Sequence, residues 1–249
     1  SVHETWGTFV APRLALAAHA SDRVTLRASL GSGYRAPDFK ELYLSFANAA
    51  AGYAVEGNPD LRPERSVSAS AGVHATGDAW NGRVTLFGNR FRDFITTSEQ
   101  DAAGVFHYEN IESGTTHGIE SELILSLGSS RVELGYDYTS TRERGSRAPF
   151  PGISPHQARV VFTPPPVAGT SVALATHYSA ATPLARDESG TQRERGAYAR
   201  TDVRIARAFA SGLRLRAGVT NVFNRQLGDD WPGFTGRQVF AGLDWLVAR

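Results

Sequence analysis

Apolar residues recur at every second position along most of this chain. Val24, Leu26, Ala28 and Leu30 alternate with Arg23, Thr25, Arg27 and Ser29, and Val67, Ala69, Ala71 and Val73 alternate with Ser66, Ser68, Ser70 and Gly72. Val132, Leu134, Tyr136 and Tyr138 do the same, as do Leu213, Leu215, Ala217 and Val219. Strict period two makes extended strands with one apolar and one polar face. The spacing predicts eleven strands, at 5–19, 23–35, 65–76, 82–97, 105–127, 131–143, 155–164, 170–180, 197–209, 213–224 and 236–247. Several exceed the ~5–6 residues usual in soluble sheets and meet the ~9–11 that cross a bilayer when tilted.

The polar face carries Arg, Glu, Asp and Ser well into the strands, while the apolar face is mostly Ala, Val and Leu. A soluble sandwich would fill a core with larger side chains. An apolar band outside and a polar lumen inside gives the observed pattern. Mean hydropathy is −0.28, and no run approaches the ~18 apolar residues of a spanning helix. That excludes a helical membrane protein and leaves a β-barrel open.

The connections carry the stronger signal. Turns at 20–22, 76–82, 128–130, 164–169 and 210–212 are short. They alternate without a break with longer segments at 36–64, 98–104, 144–154, 181–196 and 225–235. Outer-membrane barrels show this asymmetry between periplasmic turns and external loops. The first and last strands both lead towards the periplasm. An even strand count with both ends periplasmic is the rule, so eleven strands starting outside imply part of a larger barrel, lacking an odd number of strands. No Met occurs, not even at position 1.

The chain also lacks Cys, which excludes disulfides and thiolate metal sites. A formal net charge of +1 removes the electrostatic case for nucleic acid. His3, His19, His74, His107, His117, His156 and His177 are scattered and never pair at metal-ligand spacing. No Gly-x-Ser-x-Gly elbow, phosphate loop or His/Asp/Ser cluster is present. Asp229-Asp230 is an acidic pair with a possible Ca²⁺ role, though exposed loop acids are usually just solvated. The expectation is a non-enzyme with no cofactor.

Several stretches carry a resemblance. Gly33-Tyr34-Arg35-Ala36-Pro37, Lys40-Glu41-Leu42-Tyr43 and Gly57-Asn58-Pro59-Asp60-Leu61-Arg62-Pro63-Glu64 resemble a signature of TonB-dependent outer-membrane receptors. Arg90 to Ile95, Tyr108 to Ile111, Gly118 to Glu122, Gly218 to Asn224 and Gly236 to Trp245 follow in the family's order. The resemblance implies an all-β, antiparallel transmembrane barrel of 22 strands, of which residues 1–249 would be the C-terminal portion, about eleven strands. The plug domain and the TonB-contacting segment would lie before residue 1. It also implies the bacterial outer membrane, its lipid and the TonB complex as partners. The implied function is energised uptake of a scarce nutrient: a ferric siderophore first, then cobalamin, then haem. A passive porin or adhesin barrel is the reading from another class, and a soluble β-sandwich a third. The family's last strand usually ends in an aromatic residue, where this chain has Val247.

Candidate ligand-binding residues in the first long loop are Arg35, Tyr43, Phe46, Tyr53 and Arg62. Arginines suit an anionic chelate through charge-assisted hydrogen bonds, and aromatics suit an aromatic one. The plainer reading has these residues shaping the loop, with arginines paired to Asp60 or Glu64. For haem, the family's receptors place a histidine between the Arg-Ala-Pro and Asn-Pro elements. Here none lies between Pro37 and Asn58, and Tyr43 and Tyr53 are the remaining axial candidates. Glu120 and Glu122 share a strand face and are expected on the lumen wall, towards a plug.

Overall fold

The computed structural model describes residues 2–3, 7–50, 52–98, 101–186, 191–210, 212–227 and 236–245. Eleven long strands carry the fold. They are β1 (Arg13–Ser21), β2 (Val24–Arg35), β3 (Glu64–Thr76), β4 (Trp80–Thr97), β5 (Val105–Leu127), β6 (Ser130–Glu143), β7 (His156–Thr163), β8 (Thr170–Ser179), β9 (Tyr198–Ala208), β10 (Leu213–Thr220) and β11 (Gln238–Trp245). Each pairs antiparallel with its neighbours in sequence, in one sheet running from β11 to β1. Among the described residues β1 and β11 do not pair with each other, so the sheet is open. Among the described residues no helix is long and apolar enough to cross a membrane.

Register turns the sequence alternation into two continuous surfaces. Leu16, Ala28, Ala71, Leu86, Ile119 and Tyr138 lie on one rung across six strands. One residue along, Arg27, Gly72, Thr85, Glu120, Asp137 and Gln157 lie on the next rung and point the other way. The apolar surface is bare: Leu16 is 62% exposed, Leu86 54% and Leu243 62%. The buried apolar residues among those described are only Leu42, Leu61, Ile95 and Val161. So little core cannot offset the chain entropy of ordering a sheet this size in water; the apolar face is the one that lipid covers. The inward face carries ion pairs instead, among them Arg83–Glu122 at 3.1 Å and Arg216–Asp244 at 2.9 Å.

Two strand boundaries differ from the periodicity by more than two residues, each for a backbone reason. The first strand begins at Arg13 rather than residue 5. Pro12 has no N–H to give a ladder, and its carbonyl instead accepts the Ser32 N–H at 3.0 Å. Before it, Val2–His3 and Gly7–Thr8 form a small hairpin of their own. The tenth strand stops at Thr220 rather than 224. Asn221 takes φ +51° and Asn224 also φ +51°, a left-handed conformation that Asn tolerates better than most residues. Asn221 is 1% exposed, and it donates to the Arg225 carbonyl (2.9 Å) and accepts the Arg225 N–H (2.8 Å). Its own N–H donates at 2.9 Å to Asp202 of β9, which is 2% exposed. This Asn–Asp latch pins the turn after β10 to its neighbour. Positions 246–247, Val247 included, and the acidic pair Asp229-Asp230 lie outside the described residues.

Candidate functional site at the long-loop end

The segment between β2 and β3 is locally structured. Pro37 and Asp38 stop the ladder, and a short helix, Phe39–Tyr43, follows. Its entry is a capping box: Asp38 Oδ1 accepts the Glu41 N–H at 2.8 Å, and Glu41 Oε2 accepts the Asp38 N–H at 2.9 Å. The same Glu41 carboxylate accepts from Arg35 Nη1 at 2.9 Å. Arg35 Nε and Nη2 grip Glu64 at 2.7 and 2.6 Å, and Glu64 also accepts the Ile95 N–H at 2.9 Å. One guanidinium thus joins the top of β2, the loop helix, β3 and β4.

The Asn58–Glu64 stretch locks beside it. Asn58 Oδ1 accepts the Asp60 N–H at 2.9 Å, an Asx turn, while its amide donates to the Tyr108 carbonyl at 2.9 Å. Leu61 is 3% exposed and packs with Leu42 and Ile95, and Tyr108 flanks them. Asn110 accepts the Arg62 N–H (2.7 Å) and donates to the carbonyls of Arg62 (2.9 Å) and Asp93 (2.6 Å). A second hairpin, Ser45–Asn48 with Tyr53–Glu56, adds in parallel to the start of β5 at Val105–His107. Below it, Asp101 accepts the Val105 and Ala103 N–H groups at 2.9 Å and meets His107 Nε2 at 3.2 Å. These contacts, the Val105 N–H foremost, hold the Asp101 carboxyl below the usual range.

Replacing Glu64 by Gln removes the charge that Arg35 grips. The expected cost is about 1–2 kcal/mol, since a charge-assisted bidentate pair becomes a neutral contact. Hydrogen exchange should quicken about tenfold at the Leu42 and Leu44 amides. Unchanged protection there would show that the clamp does not hold the loop.

The structure distributes the sequence candidates as follows. Arg35 is held by Glu64 and Glu41. Arg62 pairs with Asp93 at 2.8 Å, a partner the sequence did not suggest. Tyr43 ends the helix, exposed, with its ring 5.2 Å from Phe39. Phe46 and Tyr53 come together on the hairpin, centroids 6.1 Å apart, with Phe106 6.3 Å from Tyr53. Glu120 and Glu122 stand on the inward face, Glu122 paired to Arg83.

A half-open cavity at the long-loop end was not foreseen. Its volume is about 580 Å³, and it lies between the tops of β4 and β5, the 144–155 loop, and Leu184 and Gln192 of the pair Thr182–Arg186 and Gln192–Arg195. Phe91, Phe94, Phe150, Pro149, Ile153 and Leu184 are among its walls. Phe91 and Phe94 are three residues apart, an odd spacing that places side chains on opposite strand faces. Asp93, at φ +56°, twists the strand between them and brings the rings to 5.3 Å. Phe91 also lies against Phe150 at 5.2 Å. Both rings sit over Gly114, where an added Cβ would meet them at 2.5 and 2.4 Å. Asp93 next to two Phe residues was the available signal, because Asp enters the left-handed region more readily than most. Among the described residues no three His, Asp or Glu side chains converge on a point suited to a metal ion.

Comparison with known proteins agrees with this architecture. Residues 2–222 match the model of the TonB dependent receptor-like β-barrel. The chain is 28% identical over 161 residues to the iron-regulated outer membrane virulence protein of Vibrio cholerae, covering 60% of this chain and 24% of that protein. It is 25% identical over 233 residues to the vitamin B12 transporter BtuB of Vibrio vulnificus, covering 90% and 33%. Among solved structures, the siderophore receptor PirA of Acinetobacter baumannii superposes with a TM-score of 0.76 at 19% identity, covering 96% of this chain and 41% of that one. The chain therefore spans about a quarter to two fifths of the length of these three relatives. The matched family model, the outward lipid face and the clustering of long loops at one end agree: the chain belongs to the TonB-dependent receptor β-barrel family of the bacterial outer membrane.

Proposed function

We propose that this chain is the C-terminal portion of a receptor barrel that takes up a ferric siderophore. The plug and the TonB-contacting segment would lie outside these residues. The observation carrying the cargo assignment is the Phe91–Phe94–Phe150 cavity above an inward face on which Arg27, Arg204 and Arg214 have no carboxylate partner among the described residues. The rings suit a cargo that carries aromatic groups, and the guanidiniums, set among inward carboxylates such as Glu120 and Asp137, offer charge-assisted bonds to an anionic one. The names of the relatives point the same way, since those of V. cholerae and A. baumannii carry iron and siderophore in theirs. Tyr43 and Phe46, exposed on the adjoining loop, and the half-buried Tyr53 beside them would meet the chelate first. Arg35 and Arg62, each already ion-paired, would act by holding the loop in shape and presenting their remaining exposed edge. Glu120 and Glu122 would face the plug.

Cobalamin is the second reading, favoured by the extent of the match to the vitamin B12 transporter. The two separate in one experiment on the full-length receptor. Ferric catecholate and hydroxamate chelates, haem and cobalamin are titrated against the wild type and against Phe91→Ala. Loss of one stacked ring is expected to weaken an aromatic ferric chelate about tenfold. Uptake should stop when the proton gradient is collapsed. Binding of cobalamin alone would sink the siderophore assignment, and gradient-independent uptake would return the barrel to the passive porin class.

A further inference from the structure

The cavity walled by Phe91, Phe94 and Phe150 carries charge of one sign. Glu109 and Glu143 line it, and among the described residues no Arg, Lys or His does. Register places the two acids at its two ends. Glu143 of β6 lies opposite Gly114 of β5, on the rung of Phe91; Phe94 lies opposite Ile111, and Thr96 opposite Glu109. Five residues of β5, about 16 Å of strand at ~3.3 Å per residue, separate the two acid rungs, and the rings occupy the interval. Other acids at this end are already taken, Glu41 and Glu64 by Arg35 and Asp93 by Arg62. Neither Glu109 nor Glu143 has an ion-pair partner among the described residues; Glu143 accepts from the Ser146 hydroxyl. Arg142, Arg144 and Arg147 are near Glu143 in sequence, but they line a separate groove and not the cavity.

An anion entering this space would face two carboxylates and the negative faces of the rings. A cation is drawn by both. Ring quadrupoles attract it to their faces, and carboxylates beside apolar walls act through a medium that screens less than water. Aromatic walls recognise ammonium groups in this way. We propose that the cavity seats a positively charged arm of the cargo, a protonated amine or quaternary ammonium group, with Glu109 and Glu143 as the residues that set this charge preference. The inference rests on the cargo reading above and narrows it. The chelate would place a cationic arm against Phe91, Phe94 and Phe150 and keep its anionic groups elsewhere.

The test uses the full-length receptor in a non-ionic detergent, with ligand-observed NMR as readout and benzyltrimethylammonium, benzyl alcohol and benzenesulfonate as probes. The wild type should bind the ammonium at least about tenfold more tightly than the sulfonate, with the alcohol between them. Combined Glu109→Gln and Glu143→Gln substitutions should bring the two charged probes within about twofold of each other. Asp78→Asn, in a short turn at the opposite end of the strands, should leave the full preference in place. Should the double variant not fold, Glu109→Gln alone, at an exposed position, decides the matter by a severalfold narrowing. Equal binding of the charged probes by the wild type, or a preference undiminished in the Glu variants, overturns the proposal. The siderophore assignment fails separately: a receptor that binds cobalamin alone yet prefers the ammonium probe would strike that assignment and leave the charge preference of the cavity standing.

Discussion

Asp202→Ala is expected to destabilise the folded barrel by about 3 kcal/mol. Asp202 is 2% exposed, accepts the Asn221 N–H at 2.9 Å and lies 3.3 Å from Arg200. Truncation leaves a buried backbone donor without a partner, which costs about 1–3 kcal/mol, and removes a charge-assisted bond worth about as much. Asn221 compounds the effect, because its left-handed φ of +51° is held only while its N–H and side chain are satisfied. Asp202→Asn keeps an acceptor in place and should cost about 1 kcal/mol. Urea titration of the receptor in detergent, followed by the mobility shift between folded and unfolded barrels, measures both. Equal midpoints for wild type and Asp202→Ala would mean that the turn after β10 does not depend on the latch.

Gly118→Val should have a comparable or larger effect, about 3 kcal/mol or more, and is expected to reduce the yield of folded barrel. A Cβ at Gly118 would lie 1.9 Å from the Tyr138 carbonyl oxygen and 2.8 Å from the Phe87 ring. The nearer obstacle is backbone, so no rotamer change relieves it, and β5 would have to part from β6 locally. Phe87, the register partner of Gly118 on β4, covers the bare glycine. Phe240 does the same for Gly218, across β11 and β10. Such ring-over-glycine pairs help to fix register. Gly88→Val is the control. It stands one strand away on the lipid side, with nothing within 4 Å of its would-be Cβ, and should be near neutral. Similar damage from both substitutions would argue for a general cost of branching rather than a specific close approach.

What could be read in advance followed from period two. That period depends only on where successive Cβ atoms point, so the faces, the strand count and the end carrying the long loops were visible in residues such as Leu26, Arg27 and Ala28. That Glu120 and Glu122 share one strand face followed for the same reason. What escaped was set by single backbone torsions or by non-local pairing. Asp93 reverses the face of Phe94, Asn221 ends a strand whose apolar spacing continues, and Pro12 shortens another by withholding one N–H. The parallel docking of Tyr53–Glu56 on Val105–His107 joins segments about fifty residues apart, and no spacing rule reaches that far. The Asn58–Glu64 stretch was legible as a turn-former, yet its bonds to Tyr108 and Asn110 required the fold.

The unjoined flanks of the sheet set a condition for living in a membrane. Along the outer sides of β1 and β11, amide and carbonyl groups lack ladder partners among the described residues. Hydrocarbon offers them no substitute, at several kcal/mol for each group left bare. An insertion intermediate with these flanks uncovered is thus confined to water or to the grip of assembly factors. Entry into the bilayer must coincide with pairing of both margins, which couples closure of the sheet to membrane integration.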